Sequence, residues 1–80
     1  MTVLLDAHAV ASVLGMRDAI GLLEQTLAHQ AKGATFASPK FVSEFDGGAM
    51  RVLFAADLAA GRAAMKAYHN IKGVGTRYVV

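Results

Sequence analysis

Asp46-Gly47-Gly48 sits between two alternating runs, Phe41-Val42-Ser43-Glu44-Phe45 and Met50-Arg51-Val52-Leu53-Phe54, and constrains this chain more than any other feature. Asp-Gly between alternating apolar residues is the strongest short-range signal for a β-hairpin with a two-residue loop. Side chains alternate along a strand, so such a hairpin presents Phe41, Ser43, Phe45, Met50, Val52 and Phe54 on one face. Lys40, Val42, Glu44, Arg51 and Leu53 share the other. One face is suited to a core, and the other gathers charge.

Loop parity decides how the charges meet. A loop at Asp46-Gly47 sets Arg51 opposite Val42 and diagonal to Lys40, about 7–8 Å away. A loop at Gly47-Gly48 pairs Arg51 with Glu44 instead. Both keep Lys40 and Arg51 on a common face, whereas three loop residues would turn Arg51 onto the phenylalanine face. Asp-Gly is the stronger signal of the two.

Before the hairpin the pattern is helical. Thr2–Leu5 is expected to be a short apolar strand stopped by Asp6, a residue type that caps helices through its carboxylate. Val10, Val13 and Leu14 are spaced for a helix over Ala7–Leu14, ended by Gly15. A second helix is expected from Met16 to Lys32, with Met16, Ala19, Ile20, Leu23 and Leu27 as its buried stripe. Asp18 and Lys32 suit its dipole, and Gly33 follows as the left-handed terminator. His8, His29 and Gln30 are expected to face solvent. Ala34–Ser38 is expected to be a linker, and Pro39 biases Ser38 towards the extended geometry that launches the first hairpin strand.

Beyond the hairpin, Ala55–Ala64 is ambiguous: alanines and a cap at Asp57 favour a helix, and Gly61 interrupts it. If Ala63–Asn70 is a strand, Ala64, Lys66, Tyr68 and Asn70 share one face and Met65, Ala67, His69 and Ile71 the other. Lys72-Gly73-Val74-Gly75 is a turn, with no strand–turn–helix unit behind it to make a phosphate loop. Thr76–Val80 opens a last strand. Its apolar end is expected to lie in mid-strand of a longer parent protein, the alternative being an edge strand that finishes there.

Eighty residues accommodate one small domain. A chain of this size is marginally stable without a partner or further chain. A hydrophobic content of 55% is incompatible with a disordered tail. The chain has no cysteine, so disulfides and thiolate metal sites are excluded, and with no basic, apolar leader the expected setting is cytoplasmic. No apolar run reaches membrane-spanning length. The net charge of +2 is spread along the chain and the aromatics fall where strands would bury them, so nucleic acid is not an expected partner.

His8, His29 and His69 are too dispersed for a metal site, and Ser12, Ser38 and Ser43 have no activating neighbours in sequence. Lys40, Arg51 and Lys66 remain as the candidate site. Cations gathered on one sheet face form a receptor for a small carboxylate, with Arg51 as a bidentate fork and the lysines as point charges. A lysine beside other cations is also a candidate proton-transfer group next to a carbonyl, imine or amine. The bland counterpart is a solvated strand face on which Glu44 pairs with Arg51 for well under about 1 kcal/mol.

Pro39-Lys40, the Asp46-Gly47-Gly48 turn, the strand Arg51-Val52-Leu53-Phe54-Ala55 and the link Ala63-Ala64-Met65-Lys66 carry a family resemblance. Together with the opening strand, acidic cap, two helices and Ala31-Lys32-Gly33, they resemble the N-terminal region of the ornithine cyclodeaminase/mu-crystallin family, including its archaeal-type alanine dehydrogenase branch. The chain has Leu53-Phe54-Ala55 where the family has Met-Pro-Ala, and Lys40 where many members have arginine.

The resemblance implies an α+β fold, with two N-terminal helices packed on a small, mainly antiparallel sheet. It implies a single partial domain over residues 1–80, used for substrate binding and dimerisation, with a loop at Asp57–Gly61 and a strand over about Ala63–Asn70. By the same resemblance Lys40, Arg51 and Lys66 hold the carboxylate and amino or imino end of an amino-acid-like substrate, with Lys66 closest to the reacting carbon. NAD(P) is implied only for the full-length family member, because the glycine fingerprint of a Rossmann domain is missing here. The chain alone is then expected to be inactive and to self-associate by sheet pairing. The competing expectation is a stand-alone self-association or anion-binding module without catalysis.

Overall fold

A computed structural model describes residues Met1–Val80 as an α+β chain with two helices and five strands. Helix α1 spans Ala7–Val13 and α2 spans Met16–Ala31. Asp6 Oδ1 accepts the Ala9 backbone N–H at 2.8 Å, which is the N-cap its side chain predicts. Leu14 closes α1, and Gly15 serves instead as the N-cap of α2, without a side-chain bond. Gly33, at φ 72°, turns the chain out of α2 in the left-handed region.

Strands β1 (Thr35–Ala37), β2 (Phe41–Phe45), β3 (Gly48–Asp57), β4 (Arg62–Ile71) and β5 (Gly75–Val79) form one sheet in which every pairing is antiparallel. Both β1 and β2 pair with β3, so they make one interrupted edge, followed by β3, β4 and β5 in order. The expected linker Ala34–Ser38 therefore contains a strand, with Phe36 opposite Ala56. Three residues are too few to show alternation, and the far end of the long β3 supplies its partner groups. The interruption falls at Pro39, which has no N–H to give a ladder. Ser38 bridges it: its N–H donates to the Phe54 carbonyl at 2.9 Å and its Oγ accepts the Phe54 N–H at 3.0 Å.

The first hairpin turns at Asp46-Gly47, with Phe45 paired to Gly48 and Val42 to Arg51. Only Gly47 of the two loop residues has positive φ, at 83°. Residues 55–64 adopt strand, turn and strand, not helix: β3 runs to Asp57, Leu58–Gly61 turn, and β4 begins at Arg62. A third hairpin turns at Lys72-Gly73-Val74, and Lys72 N–H donates to the Gly47 carbonyl at 2.7 Å, tying two turns together.

Three expectations of packing are overturned. Thr2–Leu5 forms no strand, because no neighbouring backbone pairs with it; it flanks a groove against Tyr78, Val79 and Val80. The α2 stripe of Met16, Ile20, Leu23 and Leu27 is exposed, and α2 meets the sheet only at β1 and β3. The phenylalanine face is uncovered too, with Phe36, Phe41, Phe45, Met50 and Phe54 all exposed.

Ala49 alone is buried. The accessible surface is 6685 Å², whereas a compact chain of 8.4 kDa exposes about 4,600 Å². The radius of gyration is 15.3 Å, against about 12 Å for a compact domain of this length. Backbone pairing builds this sheet, but nothing within one chain covers either apolar surface.

Candidate functional site

The registers sort the sheet into two faces of opposite chemistry. One carries Phe36, Phe41, Met50, Val52, Phe54, Met65, Ala67 and Val79. The other carries Glu44, Arg51, Leu53, Lys66, Tyr68, Asn70, Thr76 and Tyr78. Alternation along β3 and β4, carried across by direct pairing, produces this separation.

Arg51 on β3 and Lys66 on β4 meet at a ring. Arg51 is paired with Tyr68, and its guanidinium carbon lies 5.8 Å from that ring's centroid. Lys66 stands two residues before Tyr68 on the same face, and its Nζ is 5.3 Å from the Tyr68 centroid and 5.6 Å from that of Tyr78. The two tyrosines are cross-strand partners, stacked at 5.0 Å with 26° between their planes. The rings' electron-rich faces attract both cations and hold them over one patch of sheet. Arg51 takes this contact and forms no ion pair with Glu44; the chain's single ion pair is elsewhere.

Of the three expected site residues, the fold thus brings Arg51 and Lys66 together. Lys40 is exposed in the break between β1 and β2 and touches neither ring. It is diagonal to Arg51 because Val42 pairs with Arg51, the register that the Asp46-Gly47 loop predicts. Tyr68 and Tyr78 were not anticipated as site residues. Lys66 and Tyr68 share a face by simple alternation, but Tyr78 joins them only through the parity of the three-residue loop at Lys72–Val74.

A second polar pair lies at the opposite end of β3, six residues or about 20 Å beyond Arg51. His29, expected in solvent, directs Nδ1 to Asp57 Oδ2 at 2.8 Å and Oδ1 at 3.0 Å, with side chains 23% and 13% exposed. The bond from His29 holds the Asp57 carboxyl below the usual carboxylate range, helped by the Ala60 N–H that Asp57 accepts at 3.1 Å. This pair anchors a helix end. No other titratable group joins it to make a catalytic cluster, and no group of three or more metal-ligating side chains occurs anywhere in the chain.

The Lys72–Gly75 segment is a hairpin turn joining two antiparallel strands, with Gly73 at φ 83°. A dinucleotide phosphate site needs a strand, a glycine turn and a helix N-terminus, and these residues do not fit one. No helix of the chain is long and apolar enough to cross a membrane. No protein-family model, curated protein or solved structure matches the chain.

Proposed function

We propose that this chain is the substrate-binding and dimerisation portion of an ornithine cyclodeaminase/mu-crystallin-like, NAD(P)-dependent, cytoplasmic enzyme acting on an amino acid or cyclic imine. The observation that carries the proposal is the convergence of Arg51 and Lys66 on Tyr68, on the sheet face opposite the phenylalanines. Arg51 offers a planar fork to a carboxylate, and Lys66 offers a mobile point charge and a proton-transfer group beside it. Lys40, exposed beside β2 and diagonal to Arg51, is the third cation of this reading. The nicotinamide cofactor belongs to the remainder of such an enzyme, and no step is assigned to it here.

The uncovered face supports the dimerising half of the proposal. The chain exposes about 2,000 Å² more than a compact monomer of its mass. Obligate dimers bury about 1,000–2,500 Å² on each partner, so one copy laid on another accounts for the excess. The phenylalanine face and the α2 stripe are the surfaces to be paired.

Isothermal titration with L-alanine, L-ornithine and a cyclic imine carboxylate tests the site. Binding that is lost in both Arg51→Ala and Lys66→Ala is expected; unchanged binding in both variants removes the cluster from consideration. NAD(P)-dependent turnover by the 80-residue chain alone would contradict the assignment of catalysis to the whole enzyme. A stand-alone association or anion-binding module is the second reading, favoured by a sheet whose five strands pair completely within this chain. A folded dimer is expected on both readings; a glycine-fingerprint Rossmann segment encoded after Val80 supports the first, and a stop codon there the second.

A further inference from the structure

The stacked tyrosines do something that a carboxylate receptor does not require. Tyr78 lies on the edge strand β5, is 60% exposed, and continues a row that runs from Arg51 through Tyr68 across three strands. Its outer side carries no neighbouring strand. On the same face, the Asn70 amide donates to the Thr76 hydroxyl at 3.2 Å, which places amide and hydroxyl groups beside the rings. Arg62 and Lys66 lie along β4 on this face as well.

We propose that this tyrosine face binds single-stranded nucleic acid. An open sheet with exposed aromatic rings and flanking Arg and Lys is the physical requirement for that ligand: bases stack on rings, and cations take the phosphates. Sequence argued against nucleic acid on two grounds, a mild charge spread along the chain and expected burial of the aromatics; Tyr78 is not buried, and the fold gathers Arg51 and Lys66 at one patch.

The row from Arg51 through Tyr68 is open, which suits a polymer that repeats its contacts. Of the chain's two concavities, an apolar groove of about 420 Å³ around Phe36, Phe54 and Met65 lies on the other face, and a second, between the N-terminal segment and Tyr78–Val80, borders the row at Tyr78. Arg51 and Lys66 line neither. A strand laid across an open face compensates for the lack of enclosure by repeating its contacts, one base and one phosphate at a time. Of the acidic residues of this face, Asp57 is paired with Arg62 and Glu44 is diagonal to Arg51, whereas Lys66, Tyr68 and Tyr78 have no acidic partner in register.

The inference goes beyond the carboxylate reading and does not rest on it: both use Arg51 and Lys66, but only base stacking needs the exposed side of the Tyr78 ring. The chain has no tryptophan and two tyrosines, Tyr68 and Tyr78, so intrinsic fluorescence reports on this face alone. The experiment titrates the full chain with an oligothymidylate of roughly 12 nucleotides, a length within known single-strand site sizes. Tyrosine quenching and a rise in anisotropy of the labelled strand are expected, with log K falling against log salt at a slope of about −1.4 if two cations each neutralise one phosphate.

Tyr78→Phe keeps a ring and is expected to bind like wild type. Tyr78→Leu is expected to weaken binding roughly 5- to 150-fold, the loss of one stacked base. Unquenched tyrosines, wild-type affinity in Tyr78→Leu, or equal binding of a duplex or a mononucleotide would each overturn the proposal. Because quenching is read on the wild-type chain, it decides the matter even if a variant folds poorly.

Discussion

His29 Nδ1 lies 2.8 Å from Asp57 Oδ2 and 3.0 Å from Oδ1, and this residue pair is the one side-chain link between α2 and the sheet. Asp57 also accepts the Ala60 N–H, so a single carboxylate holds the end of the helix and the β3–β4 turn. A lowered carboxyl pKa stabilises the folded state above the unfolded value of 3.8, and that contribution is lost as the pH falls through the lower folded value. Acid titration by circular dichroism is expected to show this limb in wild type and a flatter one in Asp57→Asn. In His29→Ala the Asp57 carboxyl, followed by carbon-13 NMR, is expected to titrate closer to 3.8.

Gly48 sits where β3 crosses closest to β4. A Cβ built there would overlap the Asn70 carbonyl oxygen and lie 3.1 Å from Ile71 Cα, both of them backbone. Gly48→Ala is expected to destabilise the sheet by about 1–3 kcal/mol, read as a lower urea midpoint. Gly61→Ala meets no atom within 4 Å and is strained only by its φ of 67°, so its effect should be the smaller of the two.

The phenylalanine face predicts concentration-dependent stability. Phe41 and Phe54 touch edge-to-face at 6.0 Å and are both exposed. Light scattering across a dilution series is expected to show a dimer or larger assembly, with a melting temperature that rises with concentration. Phe54→Glu should move the population towards monomer and abolish that dependence; a wild-type chain that melts identically at every concentration would contradict it.

Arg51→Lys keeps the charge and removes the planar fork. Carboxylate affinity is expected to fall about tenfold, the scale of one charge-assisted hydrogen bond. An equal loss in Arg51→Ala and Arg51→Lys would identify fork geometry, not charge, as what the site uses.

The short helix α1 depends on its cap. Asp6→Ala removes the acceptor of the Ala9 N–H and is expected to cost about 1 kcal/mol, measured as lost helical ellipticity. Asp6→Asn should restore most of it, since the amide oxygen accepts the same bond.

Much of this architecture was legible before folding because it depends on neighbours in sequence. Asp6 announced α1, Gly33 ended α2, and Asp46-Gly47 set the hairpin whose register pairs Val42 with Arg51. The strand β1 was not legible. Thr35-Phe36-Ala37 has no alternation of its own, and its partners at Ala55–Asp57 lie about twenty residues away. Tyr78 was missed for a similar reason, since its meeting with Tyr68 depends on a loop parity that sequence leaves open.

By itself, then, the sequence determined the two helices, the first hairpin and the chemistry of its two faces, because caps, turns and alternation act over a few residues. Only the tertiary structure decided which residues of different strands meet: Arg51 and Lys66 at Tyr68, His29 at Asp57. It also decided that the apolar positions of α2 and of the phenylalanine face stay uncovered. Periodicity marks a surface that needs burial, but burial requires a second surface within reach, and one copy of this chain does not supply it.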